Sequence, residues 1–169
     1  DDIIWNGVEI GGTKYKGYLD LLTEASVEKA ATGATVYETV KNVYNAIDAD
    51  VLDKASIFVG VDTFRALVGE LTEKNMYHYN PTVDEKLEII LPGTVTKVIA
   101  VPGLNGKNVA VAGNAEHMFY GTDMTGDEEV FDLWYSKDNQ EFRLAINFAA
   151  GVQFAFPDQV AWADTAKGE

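Results

Sequence analysis

Two histidines, three serines and no cysteine are the nucleophile and metal-ligand inventory of this 169-residue chain. The absence of cysteine removes disulfides, thiol catalysis and thiolate metal sites. His78 and His117 stand far apart, and neither has a second histidine at helical ligand spacing, so both read as loop or surface residues. DMTGDEE (123–129) has the composition of a cation loop. It lacks the alternating acids before the glycine and the glutamate at the twelfth position, and so reads as a solvated acidic turn. Carboxylate chemistry would need two acids across a cleft, one of them in an apolar pocket, and 27 acids supply pairs without selecting one. PGLNGK (102–107) has neither the glycine spacing nor the Ser/Thr after Lys of a phosphate loop, and reads as a turn with Asn105-Gly106 at its tip. Ser26, Ser56 and Ser136 sit in no nucleophile-elbow context. These residues point to no catalytic, cofactor-binding or metal site, and favour a structural or binding role.

Charge narrows the partners. Thirteen cations against 27 acids give a formal net charge of −14, and the cations are scattered singly from Lys14 to Lys167. A chain without a basic stripe is poorly suited to phosphate backbones or anionic membranes, so neither a specific nucleic-acid sequence nor a membrane is an expected partner. No run of 18 apolar residues is present. A hydrophobic fraction of 47% with 11% aromatics supplies a core for one domain, or for one large and one small lobe.

The elements follow from periodicity. IIWNGVEI reads as a short strand and YKGYLDLL as an extended or turn segment. TVYE is a capping box with Thr35 as N-cap and Glu38 at the third helical position, and Val36, Val40, Val43, Tyr44 and Ile47 then recur at helical spacing. The spacing predicts a helix over 35–47. ASIFVG (55–60) is a short buried strand, and Asp62 is expected to cap a second helix over 62–73 with Phe64, Leu67, Val68 and Leu71 on one face. NMYHYNPTVDE is a loop. KLEIILPG, TVTKVIAVPG and KNVAVAG are strands divided by Pro-Gly and Asn-Gly turns, and 114–118 has room for one helical turn. The stretch 122–141 holds seven acids and one lysine around the strand EVFDLWYS. This order of helix, strand, helix and then antiparallel strands is an α+β pattern.

The last element is the longest. From Glu141 to Phe156 the even positions are Phe142, Leu144, Ile146, Phe148, Ala150, Val152, Phe154 and Phe156, a strict period of two. Fully extended, the run would span roughly 50 Å, against a globule diameter of about 40 Å. It must bend, with Gly151 the natural point, or reach from one lobe to another. The even face is expected to fill one continuous core. The odd positions Asn147, Ala149, Gly151, Gln153 and Ala155 are small or short and polar, which suits either a solvent face or the seat of a helix laid across the sheet.

Three segments together resemble the major capsid protein of tailed bacteriophages, the Hong Kong 97 type. ASIFVGVDTFRALVGELTEKNMYHY looks like the strand–helix unit of its A domain. GTVTKVIAVPGLNGKNVAVAGNAEHMFYGTD looks like the strands that follow, and EFRLAINFAAGVQFAFPDQVAW like the C-terminal strands returning through the P domain. The likeness covers about residues 35–162 and rests on the order of the segments, since no single motif is diagnostic. It implies an N-terminal segment (1–34), an A-domain-like lobe (35–121), P-domain-like strands (122–162) and a tail (163–169). The family's N-terminal arm, extended hairpin and spine helix have no counterpart here, and the resemblance makes that spine helix the occupant of the odd-face seat. No residue matches the family's crosslinking chemistry.

The resemblance implies a virion structural subunit, assembled in the bacterial cytoplasm from copies of itself in capsomers, with scaffold or portal proteins as further partners. Inter-subunit positions are then expected at Asn80, Asp84 and Glu85, at Leu104, Asn105 and Lys107, and at Asp127, Glu128 and Lys137. Without the arm, hairpin and spine, this stretch is expected to remain monomeric or to form weak oligomers. A binding module of a phage tail or surface structure shares the composition but predicts a closed β fold. A small carboxylate hydrolase predicts a cleft holding an acid of raised pKa. Terminase and portal genes beside a longer reading frame would single out the first reading.

Overall fold

The computed structural model describes residues 2–10, 13–25, 27–76, 87–122, 130–147 and 150–165. The helices are α1 (Asp2–Asn6), α2 (Tyr18–Glu24), α3 (Val36–Ala46) and α4 (Val61–Glu73). A ribbon of β1 (Val8–Ile10) and β2 (Thr13–Tyr15) lies near the start, followed by the short β3 (Glu28–Lys29) and by β4 (Ser56–Val59). Then come β5 (Glu88–Ile90), β6 (Lys97–Ala100), β7 (Val109–Gly113) and β8 (Met118–Thr122). The last strands are β9 (Val130–Ser136), β10 (Glu141–Asn147), β11 (Ala150–Phe154) and β12 (Ala161–Asp164). The α+β class expected from the element order is the class observed.

A mixed six-stranded sheet, ordered β3-β12-β7-β4-β6-β5, forms the centre. β4 and β6 run parallel, as do β12 and β3, and the other pairs are antiparallel. Strand alternation sends side chains into two cores. Ile57 and Val59 of β4, Ala110 and Ala112 of β7, and Ala161 and Ala163 of β12 face α3 and α4. Phe58, Val109, Val111 and Val160 face the other way, onto Trp5, Tyr18, Leu22, Leu104, Val152 and Phe154. β7 is consequently buried along its whole length. Its alanines, with those of β12, form a flat seat on which α3 lies close to the sheet. A face of small residues under a helix thus exists in this chain, on VAVAG and AWAD and not only as an expectation for 147–155.

The helices begin largely as their sequence signals require. Thr35 Oγ1 accepts from the Glu38 N–H at 3.2 Å, one half of the expected capping box, while the Glu38 carboxylate accepts from Ala34 N–H at 3.0 Å and not from the N-cap residue itself. Two expectations fail at the N-terminus. IIWN is the helix α1 and not a strand, because Gly7 at φ +69° closes it with an N–H donated to Ile3 O at 2.8 Å. YLDLL is the helix α2, entered from Gly17, whose N–H donates to the Asp20 carboxylate at 3.4 Å. The Lys14 ammonium, 2.8 Å away, holds that carboxyl below its ordinary value. Both partners are solvent-facing, so the pair contributes little to stability.

The 141–156 run departs most from expectation. Glu141–Asn147 pairs antiparallel with β9, while Ala150–Phe154 pairs antiparallel with β8 in a separate two-stranded ribbon. The even face is not one buried surface: Val152 and Phe154 enter the second core, whereas Phe142 and Leu144 are 77% and 59% exposed and Phe156 is 47% exposed. Burial follows whichever layer lies beneath each piece, and only β11 has α2 and the sheet beneath it. The stretch 122–162 also divides, since β12 belongs to the central sheet beside β7.

Tyr18 locks the ribbon to the sheet. Its ring lies 5.0 Å from that of Phe154 and 5.3 Å from that of Trp5, and its hydroxyl donates to Phe119 O at 3.0 Å. Burial pushes this phenol up to about 12, with Tyr15 adding to the rise. A raised folded-state value means stability that is complete below the unfolded value of 10.0 and is lost as pH climbs through about 12. Urea unfolding at stepped pH should therefore show stability falling across that window, and falling less steeply in Tyr18→Phe. Equal slopes in the two proteins would contradict the assignment.

Candidate interaction surface

Among the described residues no group of three or more His, Cys, Asp or Glu is placed to hold a metal ion. Among the same residues no helix is long and apolar enough to cross a membrane. His117 is half-buried, edge-on to Phe156 at 5.0 Å, and its backbone carbonyl accepts from Ala155 N–H at 2.9 Å. It pins the end of β11 to the turn before β8. His78, and the acidic turn 123–129, lie outside the described residues.

What the molecule does present is apolar surface. In the β9–β10 hairpin, Tyr135 stands opposite Phe142 and Leu133 opposite Leu144, so all four share one face. The Tyr135 and Phe142 rings meet at 5.2 Å, yet the exposures are 70% for Leu133 and 48% for Tyr135. Trp134, on the opposite face beside Arg143, is 47% exposed. An isolated two-stranded hairpin is marginal in water, and a contiguous exposed apolar face on a folded domain marks a contact surface. A smaller apolar group, Leu87, Ile90 and Val95, flanks β5, the edge strand of the central sheet among the described residues. The acid-rich flanks of EVFDLWYS were the available signal that this aromatic strand would face solvent.

The loop 102–107 is the best-defined turn. A 3-10 turn, Pro102–Leu104, leads to Gly106 at φ +73°, and Lys107 N–H returns to Leu104 O at 3.2 Å. Asp62 holds its tip: Asp62 N–H donates to Asn105 Oδ1 at 3.2 Å, and Gly106 N–H donates to Asp62 Oδ2 at 2.8 Å. Asp62 is thus a loop clamp, and the N-cap position it was expected to fill belongs to Gly60. A side chain at Gly60 would place its Cβ 2.5 Å from Leu104 O, so glycine is required for the loop to approach. From the other side, Asn6 Nδ2 donates to Gly103 O at 2.6 Å.

The expected inter-subunit residues separate on this geometry. Asn105, Lys107 and Lys137 are exposed. Leu104 is fully buried in the second core, so it anchors the loop from inside and is not available to a neighbour. Asn80, Asp84, Glu85, Asp127 and Glu128 lie outside the described residues. On the odd face Gly151, Gln153 and Ala155 are exposed, Ala149 lies outside the described residues, and Asn147 is placed by its backbone alone, at the end of β10.

No family model matches the sequence, and no curated protein matches it. Solved structures do match. A protein of Mycobacterium phage Che8 superposes with a TM-score of 0.60 at 11% identity, covering 86% of this chain and 55% of that one. A chain of the satellite phage P4 procapsid that includes the size determination (Sid) protein gives 0.58 at 10% identity, covering 92% of this chain and 49% of that one. The chain thus spans about half the length of the structures it matches. At such identity the likeness establishes the fold alone: an α+β fold shared with a chain from Mycobacterium phage Che8 and one from a satellite phage P4 procapsid.

Proposed function

We propose that the chain is a non-catalytic structural subunit of a phage shell of Hong Kong 97 type, built from copies of itself and located in the virion. The fold shared with a phage procapsid structure carries this reading. The exposed face of Leu133, Tyr135, Phe142 and Leu144 supports it, because a shell subunit covers such a face only on assembly. The clamped loop 102–107, with Asn105 and Lys107 outward, is the second contact, and Lys137 at the hairpin turn lies beside the first. In this reading the exposed Gly151, Gln153 and Ala155 receive a helix, from a segment adjoining this one or from a neighbouring subunit. Scaffold or portal proteins are the further partners. Net negative charge keeps the shell from adhering to the DNA it encloses.

Expression from the full reading frame, followed by sedimentation and electron microscopy, tests the proposal. Closed particles are expected. The double variant Phe142→Asp, Leu144→Asp should lose them at least about tenfold while the soluble subunit keeps its melting temperature, since both side chains face solvent before assembly. Absence of particles from the wild-type protein, or undiminished assembly by the variant, would overturn it.

A further inference from the structure

Asn105-Gly106 and Asn6-Gly7 are the chain's two Asn-Gly pairs, the dipeptide in which a backbone nitrogen most readily attacks the preceding side-chain amide. In that reaction the Gly nitrogen bonds to the Asn Cγ and the Cγ–Nδ2 bond breaks. Ammonia leaves, carrying the proton from the Gly N–H, and a five-membered succinimide remains. Water then opens the ring at either carbonyl, giving aspartate or, with the main chain rerouted through the side chain, isoaspartate. Attack requires the N–H to be free and the amide carbon to reach it in line.

We infer that Asn105 is a latent deamidation site kept intact by Asp62. Asp62 holds both reacting groups: its carboxylate takes the Gly106 N–H at 2.8 Å, and its own N–H holds Asn105 Oδ1 at 3.2 Å. The nucleophile points at Asp62, and the electrophile is turned toward the same residue. The loop has no slack to rearrange, because Leu104 is buried beneath it and Asn6 fixes Gly103. Asn105 is nevertheless exposed, so water has access once the clamp opens. Deamidation would then be self-sustaining. A carboxylate at position 105 repels that of Asp62, and an isoaspartate lengthens the loop backbone, so the clamp does not close again. The outward loop bearing Lys107 would thereby be irreversibly altered.

Asn6-Gly7 provides an internal control. Gly7 N–H is bonded to Ile3 O at 2.8 Å and Asn6 Nδ2 to Gly103 O at 2.6 Å, neither through Asp62. Wild-type protein and Asp62→Ala would be incubated at mildly alkaline pH and mapped by peptide mass spectrometry, with urea-unfolded wild type as the unprotected reference. Native wild type should deamidate at Asn105 far more slowly than the unfolded chain. Asp62→Ala should deamidate there about ten- to a hundredfold faster than native wild type, the factor a charge-assisted hydrogen bond carries, with Asn6 unchanged. Hydrogen exchange of the Gly106 amide in wild type gives a reading independent of the variant's folding, and slow exchange is expected. Equal rates in wild type and variant, a slower variant (the carboxylate then acting as a base that promotes attack), or fast Gly106 exchange would each overturn the inference.

Discussion

Replacing Phe154 by Ala should lower the free energy of unfolding by about 3–5 kcal/mol, whereas replacing Phe142 should change it by no more than about 0.5 kcal/mol. The two residues occupy equivalent phases of one alternating run. They differ in what lies beneath them. Phe154 is 3% exposed, packed against the tilted ring of Tyr18 and set in the core that joins α1, α2 and the β8–β11 ribbon to the central sheet. Removing its ring empties a space that neither Tyr18 nor Val152 can fill without leaving its own contacts. Phe142 touches Tyr135 across the hairpin and is otherwise in solvent. Against a typical domain stability of about 5–15 kcal/mol, the first change removes a large fraction and the second almost nothing. Urea unfolding of the two variants measures both. Equal losses would restore the single continuous buried face that the alternation suggests.

That contrast marks how far the sequence can be read. Period and punctuation located β4, β6, β7, β9, α3 and α4, because each carries its own signal: a capping box at Thr35, Gly60 after SIFV, Pro-Gly and Asn-Gly turns. Alternation also states which residues share a face. It does not state what lies against that face, since burial is decided by layers that arrive from elsewhere in the chain. The helix α2, 131 residues before Val152 in β11 at its Leu21, covers one half of the run and leaves the other bare. The failures at α1 and α2 are of another kind. Their closing and opening signals, Gly7 and the Gly17–Asp20 spacing, are local and legible, but each helix is short enough for its apolar residues to fit a strand equally well. The second part of the candidate surface, 102–107, was legible only as a turn. Asn105 and Lys107 point outward as a turn tip should, yet the burial of Leu104 between Pro102 and Asn105 depends on a core assembled from elements far apart in the chain, from Trp5 of α1 to Phe154 of β11.

The inter-helix cap has no sequence signature at all, and its removal is the second large effect expected. Glu70, in the last turns of α4, extends its carboxylate to the opening of α3, where Oε1 accepts from Val36 N–H at 3.0 Å and Oε2 from Tyr37 N–H at 2.9 Å. With Thr35 taking the Glu38 N–H at 3.2 Å, the first three amides of α3 are all satisfied, and a negative charge lies at the positive end of the helix. Val36 is buried and Tyr37 half-buried, so water is a poor substitute at these two donors. Glu70→Ala should cost about 2–4 kcal/mol, the loss of bonds to a charged acceptor together with partly buried unpaired donors. Glu70→Gln retains one acceptor oxygen without the charge and should cost about half as much. Thr35→Ala removes the local cap alone and should cost about 1 kcal/mol. Because both caps order the same turn, the double variant Thr35→Ala, Glu70→Ala should lose less than the sum of the single variants. Urea unfolding and amide exchange at Val36 and Tyr37 measure the series. A loss below about 0.5 kcal/mol for Glu70→Ala would show that α3 is held to the sheet by its alanine seat alone, through Ala110, Ala112, Ala161 and Ala163.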